Sequence, residues 1–260
     1  MWRKPPVPGD MMTTERHDVW PRTASDLDLQ QRRLALLEPP QWIPDERATL
    51  HVGGCFLAFA HGEQGPGAAG DRGWAGAATV ECPGLRLLDA TVASCVAGAP
   101  YDPGRLALRE GAPLEAAVTQ LSFRPDVLLV DATGRDHPRR AGLALHLGTV
   151  LSLPTIGVTH RALEATGALP GTTRGATSPL SIGDEVVGAW VCTRAGARPV
   201  AVHAGWRVDS DVAVDVVLRC TGTAHTPEPL RRAREAARNE RATVEGRRLP
   251  NEVSQPKGST

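Results

Sequence analysis

The sequence predicts an α/β fold, a single domain built around one mixed β-sheet with helices against it. Three observations carry that expectation. Apolar runs of strand length come first, and strand and helix patterns alternate after them. The chain has 260 residues, within the range of one large domain. Hydrophobic residues make up 41%, enough to build a sizeable core.

The elements follow in order. Residues 1–24 are rich in Pro, Arg and Thr without a sustained apolar period, so a flexible arm is expected there. A helix is expected over Ser25 to Leu37, capped by Ser25 and stopped by Pro39 and Pro40. Thr49 to Ala60 is apolar and partly β-branched, the pattern of a buried strand. His61 to Gly73 is a Gly-loaded loop whose carboxylates, Glu63 and Asp71, are expected to be solvated. Trp74 to Cys82 and Leu85 to Val96 read as two strands around a turn at Pro83-Gly84. A short helix is expected from Pro113 to Leu121, a strand from Asp126 to Val130, a helix from Arg139 to Leu151 and a strand from Pro154 to Val158. Three more strands are expected at Pro179 to Ile182, Glu185 to Thr193 and Pro199 to His203. Helices over Asp209 to Arg219 and Leu230 to Arg241 close the domain at 25–241, and residues 242–260 are expected to be a disordered tail.

Composition excludes several classes. Acidic and basic residues number 29 each, which argues against a grossly basic nucleic-acid binder but not against a local basic groove. Lys4 and Lys257 are the only lysines, so Arg counts in this GC-rich style of composition carry less functional weight than usual. No apolar run approaches the ~20 residues of a membrane span, and the polar N-terminus carries no secretory pattern, so a soluble cytoplasmic protein is expected. The five cysteines are scattered without a C-x-x-C pair, which points to free thiols. There is no P-loop, dinucleotide fingerprint or nucleophile elbow.

Two blocks could carry chemistry. In the first, an apolar strand delivers Asp131 at its C-terminal end, where ligand sites of open α/β sheets lie. His137-Pro138-Arg139-Arg140 follows at once. A carboxylate beside cations and a helix start suits a hard metal ion and a phosphate, although Asp131 could equally cap a turn. In the second, Tyr101 stands between Pro100 and Pro103 in a tight turn that can hold a ring outward as a wedge or stacking platform. Glu110 is the carboxylate best placed to face Asp131. Of the rest, His146 reads as a helix-packing histidine. The Arg231, Arg232, Arg234, Arg238 and Arg241 cluster reads first as a solvated helix face and second as a set of phosphate contacts.

Taken together these blocks resemble the endonuclease V family. The matching segments are VGG at 52–54, PYDPG at 100–104, REG at 109–111, PDVLLVD at 125–131, HPRR at 137–140, HLG at 146–148, PTIGV at 154–158 and PEP at 227–229. The resemblance implies an RNase H-like mixed sheet flanked by helices. It also implies Mg²⁺-dependent (or Mn²⁺-dependent) hydrolysis of a phosphodiester near a deaminated adenine. Carried onto this chain, Glu110 and Asp131 would be catalytic, metal-binding carboxylates. Tyr101 and Pro103 would form the wedge, with His137, Arg139, Arg140 and His160 bordering the nucleic acid. The implied partner is DNA or RNA, inosine-containing, bound by a monomer without a membrane.

The chain also departs from the family pattern. Phe56 stands where an Asp is expected in the first strand, and neither Cys55 nor Leu57 supplies a carboxylate. A one-residue slip would reverse the strand's facing and rescue nothing. His160 replaces a Lys, Trp206 a His, and Ala132 a Gly, while Asp102 enters a normally apolar wedge. Two functions follow as alternatives. One is a nucleic-acid-binding member whose cleavage is lost or strongly reduced. The other is an active endonuclease with a rearranged metal site, for which Asp211, ahead of Asp209, is the best third ligand.

Overall fold

The computed structural model describes residues 20–45, 49–61 and 67–246. Most of the expected arm and tail, and Glu63, therefore lie outside the described residues. The chain opens with helix α1 (Ala24–Ala35), then three long strands, β1 (Leu50–Phe59), β2 (Arg72–Cys82) and β3 (Arg86–Val96). Helix α2 (Leu106–Thr119), strand β4 (Val127–Val130), helix α3 (Leu143–Leu151) and strand β5 (Thr155–Thr159) follow. The last part holds β6 (Thr177–Ile182), β7 (Glu185–Val191), β8 (Val200–Ala204), α4 (Ser210–Arg219) and α5 (Glu228–Gly246).

All eight strands form one sheet in the order β3-β2-β1-β4-β5-β8-β7-β6. The first three are antiparallel, β1, β4 and β5 are parallel, and β8 returns antiparallel to β5. This is the mixed, RNase H-like sheet that the resemblance implies, in one domain. Alternation along each strand divides the core into two layers. Cys55, Leu57, Leu128 and Val130 pack with Leu114 and Val118 of α2 and Leu143 and Leu147 of α3. Val52, Leu129, Ile156 and Val202 pack with Val216 of α4 and Leu230 of α5.

Two glycines let α5 lie directly on the sheet. A Cβ on Gly54 would run into the Pro229 backbone, and one on Gly76 into the Ala233 carbonyl. The next residue facing α5 from β1 is Phe56. The register pairs Cys55 with Val130, so Phe56 and Asp131, one step further along each strand, share that face.

Several boundaries differ from expectation for physical reasons. Helix α1 is capped by Thr23 rather than Ser25, the Thr23 hydroxyl oxygen accepting the Asp26 N–H at 3.1 Å. Helix α2 starts well before Pro113, which lies inside it; the sequence made that proline look like a first-turn residue. Glu110 therefore projects from a regular helix. Helix α3 starts later than Arg139, because Arg140 takes a left-handed conformation at φ 58° and interrupts the run. His146 is a packing histidine: it is fully buried, with its ring 4.6 Å from that of Trp20.

Candidate functional site

A cavity of about 280 Å³ opens beyond the C-terminal ends of the central strands β1 and β4, walled by Phe56, Leu57, Tyr101, Glu110 and Asp131. Strand β4 ends in four buried apolar residues and hands Asp131 to its C-terminal end. Glu110 enters from α2. Desolvation, and then the negative charge of Asp131, raises its carboxyl from the ordinary 4.5 to about 7. Cys55 packs into the α2 and α3 layer and also lines the cavity; burial pushes its thiol upward and keeps it neutral. The two carboxylates that the sequence paired line one pocket.

What meets Asp131 is a guanidinium. Arg234 Nη2 lies 3.2 Å from Asp131 Oδ2. The Arg234 guanidinium also stands over the Phe56 ring at 4.9 Å from its centroid, and Arg238, one turn on, at 5.7 Å. An aromatic face attracts such cations through its quadrupole. Phe56, Arg234 and Asp131 therefore form a stack of apolar ring, cation and carboxylate where the resemblance predicts carboxylates around a metal.

A divalent metal does not fit these residues. Mg²⁺ demands near-octahedral oxygen coordination and gives up its water reluctantly. Here one of the two carboxylates is already neutralised by Arg234, and Phe56 offers no oxygen. No group of three His, Cys, Asp or Glu side chains able to hold a metal occurs among the described residues. The expectation for Asp211 is corrected: it lines a separate groove with Thr177, Pro179 and Gly188, because α4 packs on β7 and β8. Asp209 is spent as the α4 cap, accepting the Val212 N–H at 2.9 Å. Asp71 is not solvated either; it forms a buried ion pair with Arg109 at 2.6 Å.

The HPRR and PYDPG segments meet, but mostly to hold each other. His137 is 2% exposed. Its Nε2–H donates to the Gly104 carbonyl at 3.1 Å and its Nδ1 accepts the Arg139 N–H at 3.1 Å. Desolvation and the Arg139 charge lower its pKa from 6.5 to about 4, so the ring is neutral. Arg139 donates to the Gly104 carbonyl, to Gln31 Oε1 at 2.7 Å, and pairs with Asp28 at 3.3 Å. Arg105 bridges Asp28 at 2.9 Å and Asp102 at 3.0 Å. Asp102, out of place in an apolar wedge, is thus an anchor, and its Oδ1 also accepts the Gly104 N–H at 2.9 Å. His137 and Arg139, expected to border nucleic acid, face inward and brace the turn. Arg140 pairs with Glu185 at 3.3 Å.

The turn that this network holds presents Tyr101 and Pro103 outward, with Tyr101 45% exposed. Arg109 supports it from beneath. Its guanidinium donates to the carbonyls of Ala68 at 2.6 Å and Ala99 at 2.9 Å, and lies over Phe59 at 3.9 Å. His160 follows β5 with its ring stacked on His225 at 5.6 Å, within the electrostatic reach of Asp131 and Arg234. Burial lowers its pKa, so it is a weak substitute for a Lys charge at neutral pH. Trp206 lies away from the pocket, against Leu34, Ala141 and Leu145, and so replaces nothing there.

A family model described as Endonuclease V matches residues 43–235, most of the chain. The chain belongs to the endonuclease V family. An endonuclease V from Gloeobacter violaceus is 45% identical over 153 residues, 58% of this chain and 62% of that protein's length. The solved endonuclease V of Streptomyces avermitilis is 32% identical, covers 87% of this chain and 96% of its own, and superposes with a TM-score of 0.75. The Ciona intestinalis endonuclease V, solved with a 24mer DNA containing an inosine followed by a ribo-adenosine, shares the fold at 20% identity and a TM-score of 0.70, covering 85% and 98%.

Sequence reasoning missed the parts of this endonuclease V fold that act through a partner. Arg234 was submerged in an Arg-rich helix, yet its spacing from Arg238 puts both on one side, beside the sheet-facing Ala233 and Ala237. Asp28, Gln31 and the Arg109–Asp71 pair gave no local signal, because each completes a contact far along the chain.

Proposed function

We propose that this endonuclease V family member binds nucleic acid and that its phosphodiester cleavage is lost or strongly reduced. The observation that carries this reading is the Arg234 guanidinium seated on Asp131 above Phe56. Cleavage in such a site depends on a divalent ion to stabilise charge on the phosphate, worth several kcal/mol, and each ~1.4 kcal/mol is tenfold in rate. With the ion's position opposed by a fixed cation and an apolar ring, the loss amounts to roughly a thousandfold or more. The binding side is supported by the outward Tyr101–Pro103 turn, held by an extensive polar network, and by the exposed Arg238 over the Phe56 ring that lines the same pocket. The DNA in the Ciona structure supports an inosine-containing strand as the partner to test first.

The test is cleavage of a labelled inosine-containing duplex and single strand with Mg²⁺ or Mn²⁺, beside mobility shift on the same substrates. A Glu110→Ala/Asp131→Ala variant is the control. The expected result is retarded substrate without specific cleavage. Cleavage that disappears in the control would sink the reading.

A further inference from the structure

The geometry points to a metal-independent phosphate clamp made by Arg234 and Arg238 on the face of Phe56; this rests on the nucleic-acid-binding reading above. The two guanidiniums come from successive turns of α5 and share one aromatic ring, at 4.9 and 5.7 Å. A ring beneath them restricts their planes and leaves their N–H edges pointing away from it. Asp131 engages one of these edges, through Arg234 Nη2. Arg238 is exposed, and no carboxylate pairs with it among the described residues.

The guanidinium of Arg238, exposed over the Phe56 ring, favours an anion. Asp131 pairs with Arg234, Phe56 is neutral, and Arg238 over the same ring has no carboxylate partner among the described residues. The other α5 arginines are committed elsewhere. Arg231 and Arg232 pair with Glu228 at 2.6 and 2.8 Å, and Arg241 donates to the Phe59 carbonyl at 3.0 Å. A backbone phosphodiester carries one negative charge on two oxygens that match the guanidinium fork. The clamp would thus hold a strand's phosphate at the pocket mouth, beside the Tyr101 turn, without a divalent ion. In this family member the protein's own cation and its arginine neighbour would do the holding.

The experiment measures affinity for a labelled inosine-containing single strand across a salt series, in EDTA and in Mg²⁺. It uses the full chain, Arg234→Gln, Arg238→Gln and Phe56→Leu. Equal affinity in EDTA and Mg²⁺ is expected. Arg238→Gln should weaken binding roughly tenfold at low salt and lower the slope of log K against log salt by about one. Phe56→Leu should weaken it less, by loosening both arginines. Arg238 is exposed, so its variant tests the clamp even if Arg234→Gln folds poorly. Affinity that needs Mg²⁺, or an Arg238→Gln variant with unchanged affinity and slope, overturns the clamp while leaving the nucleic-acid-binding reading intact. Failure of the unmodified chain to bind overturns both.

Discussion

Two regions carry the family's motifs and have met different fates. The brace, where HPRR meets PYDPG and α1, keeps its residues and satisfies them internally: His137, Arg139 and Arg105 each have their donors matched by Gly104, Gln31, Asp28 or Asp102. The corner where Glu110 and Asp131 meet holds Phe56 and an Arg234 contact rather than further carboxylates. The brace holds the shape of the Tyr101 turn. The corner would supply the reaction. His137 lies buried within the brace, and removing it would leave its partners unsatisfied, so the network resists change. Arg234–Asp131 is a single contact, whereas the brace's equally exposed Arg105 pairs belong to a network, and a single contact is the cheaper to rebuild.

The largest expected effect concerns the corner. Phe56→Asp combined with Arg234→Gln should restore oxygen ligands and remove the competing cation. Metal-dependent cleavage of an inosine-containing strand should rise by at least a hundredfold over the parent, if the corner alone limits the reaction. A gel-based single-turnover assay measures this. No gain in a folded double variant would mean that the obstacle lies elsewhere.

Next is the support of the Tyr101 turn. The Arg109–Asp71 pair is almost fully buried, at 3% and 5% exposure. Arg109→Ala leaves a buried carboxylate alone and should cost about 3–5 kcal/mol in urea unfolding. A loss near that of a surface pair would show that the turn is not held as described.

The brace should also be pH-sensitive. The His137 pKa is lowered on folding from 6.5 to about 4. The unfolded chain then binds more protons in that window, so stability is full above about 6.5 and is lost as pH falls toward about 4, at about 1.4 kcal/mol per unit. Unfolding free energies of the parent and of His137→Gln across this range should differ in slope by one proton. Parallel slopes would contradict the neutral, buried histidine.

The smallest effect returns to the corner. Arg234 and Asp131 are 22% and 28% exposed, so solvent screens their attraction. Arg234→Gln should cost about 1 kcal/mol or less by urea unfolding. A cost several times larger would make Arg234 part of the structural core, not a replaceable occupant of the corner.

Much of the fold was legible in the sequence because strand burial follows short-range pattern. The run VLLV at β4 and the long apolar β1 announced themselves, and with them the position of Asp131 at a strand end. Helix α2 was legible only in part, since Pro113 imitates a helix start while lying inside one. The site was harder. Glu110, Asp131 and Tyr101 could be paired through motif spacing, but Asp211 looked equally near in sequence terms, and only the packing of α4 on β7 and β8 takes it away. Arg234 looked like one arginine among many. Its role comes from the face that Phe56 and Asp131 share, which is fixed by the parallel register of β1 and β4.

The most direct test of the corner is Mn²⁺ binding followed by electron paramagnetic resonance, comparing the parent chain with Phe56→Asp/Arg234→Gln. Arg234 on Asp131 predicts that millimolar Mn²⁺ stays in its free, hydrated form with the parent and is bound by the double variant. A tightly held Mn²⁺ on the parent chain, lost in Asp131→Ala, would contradict the account.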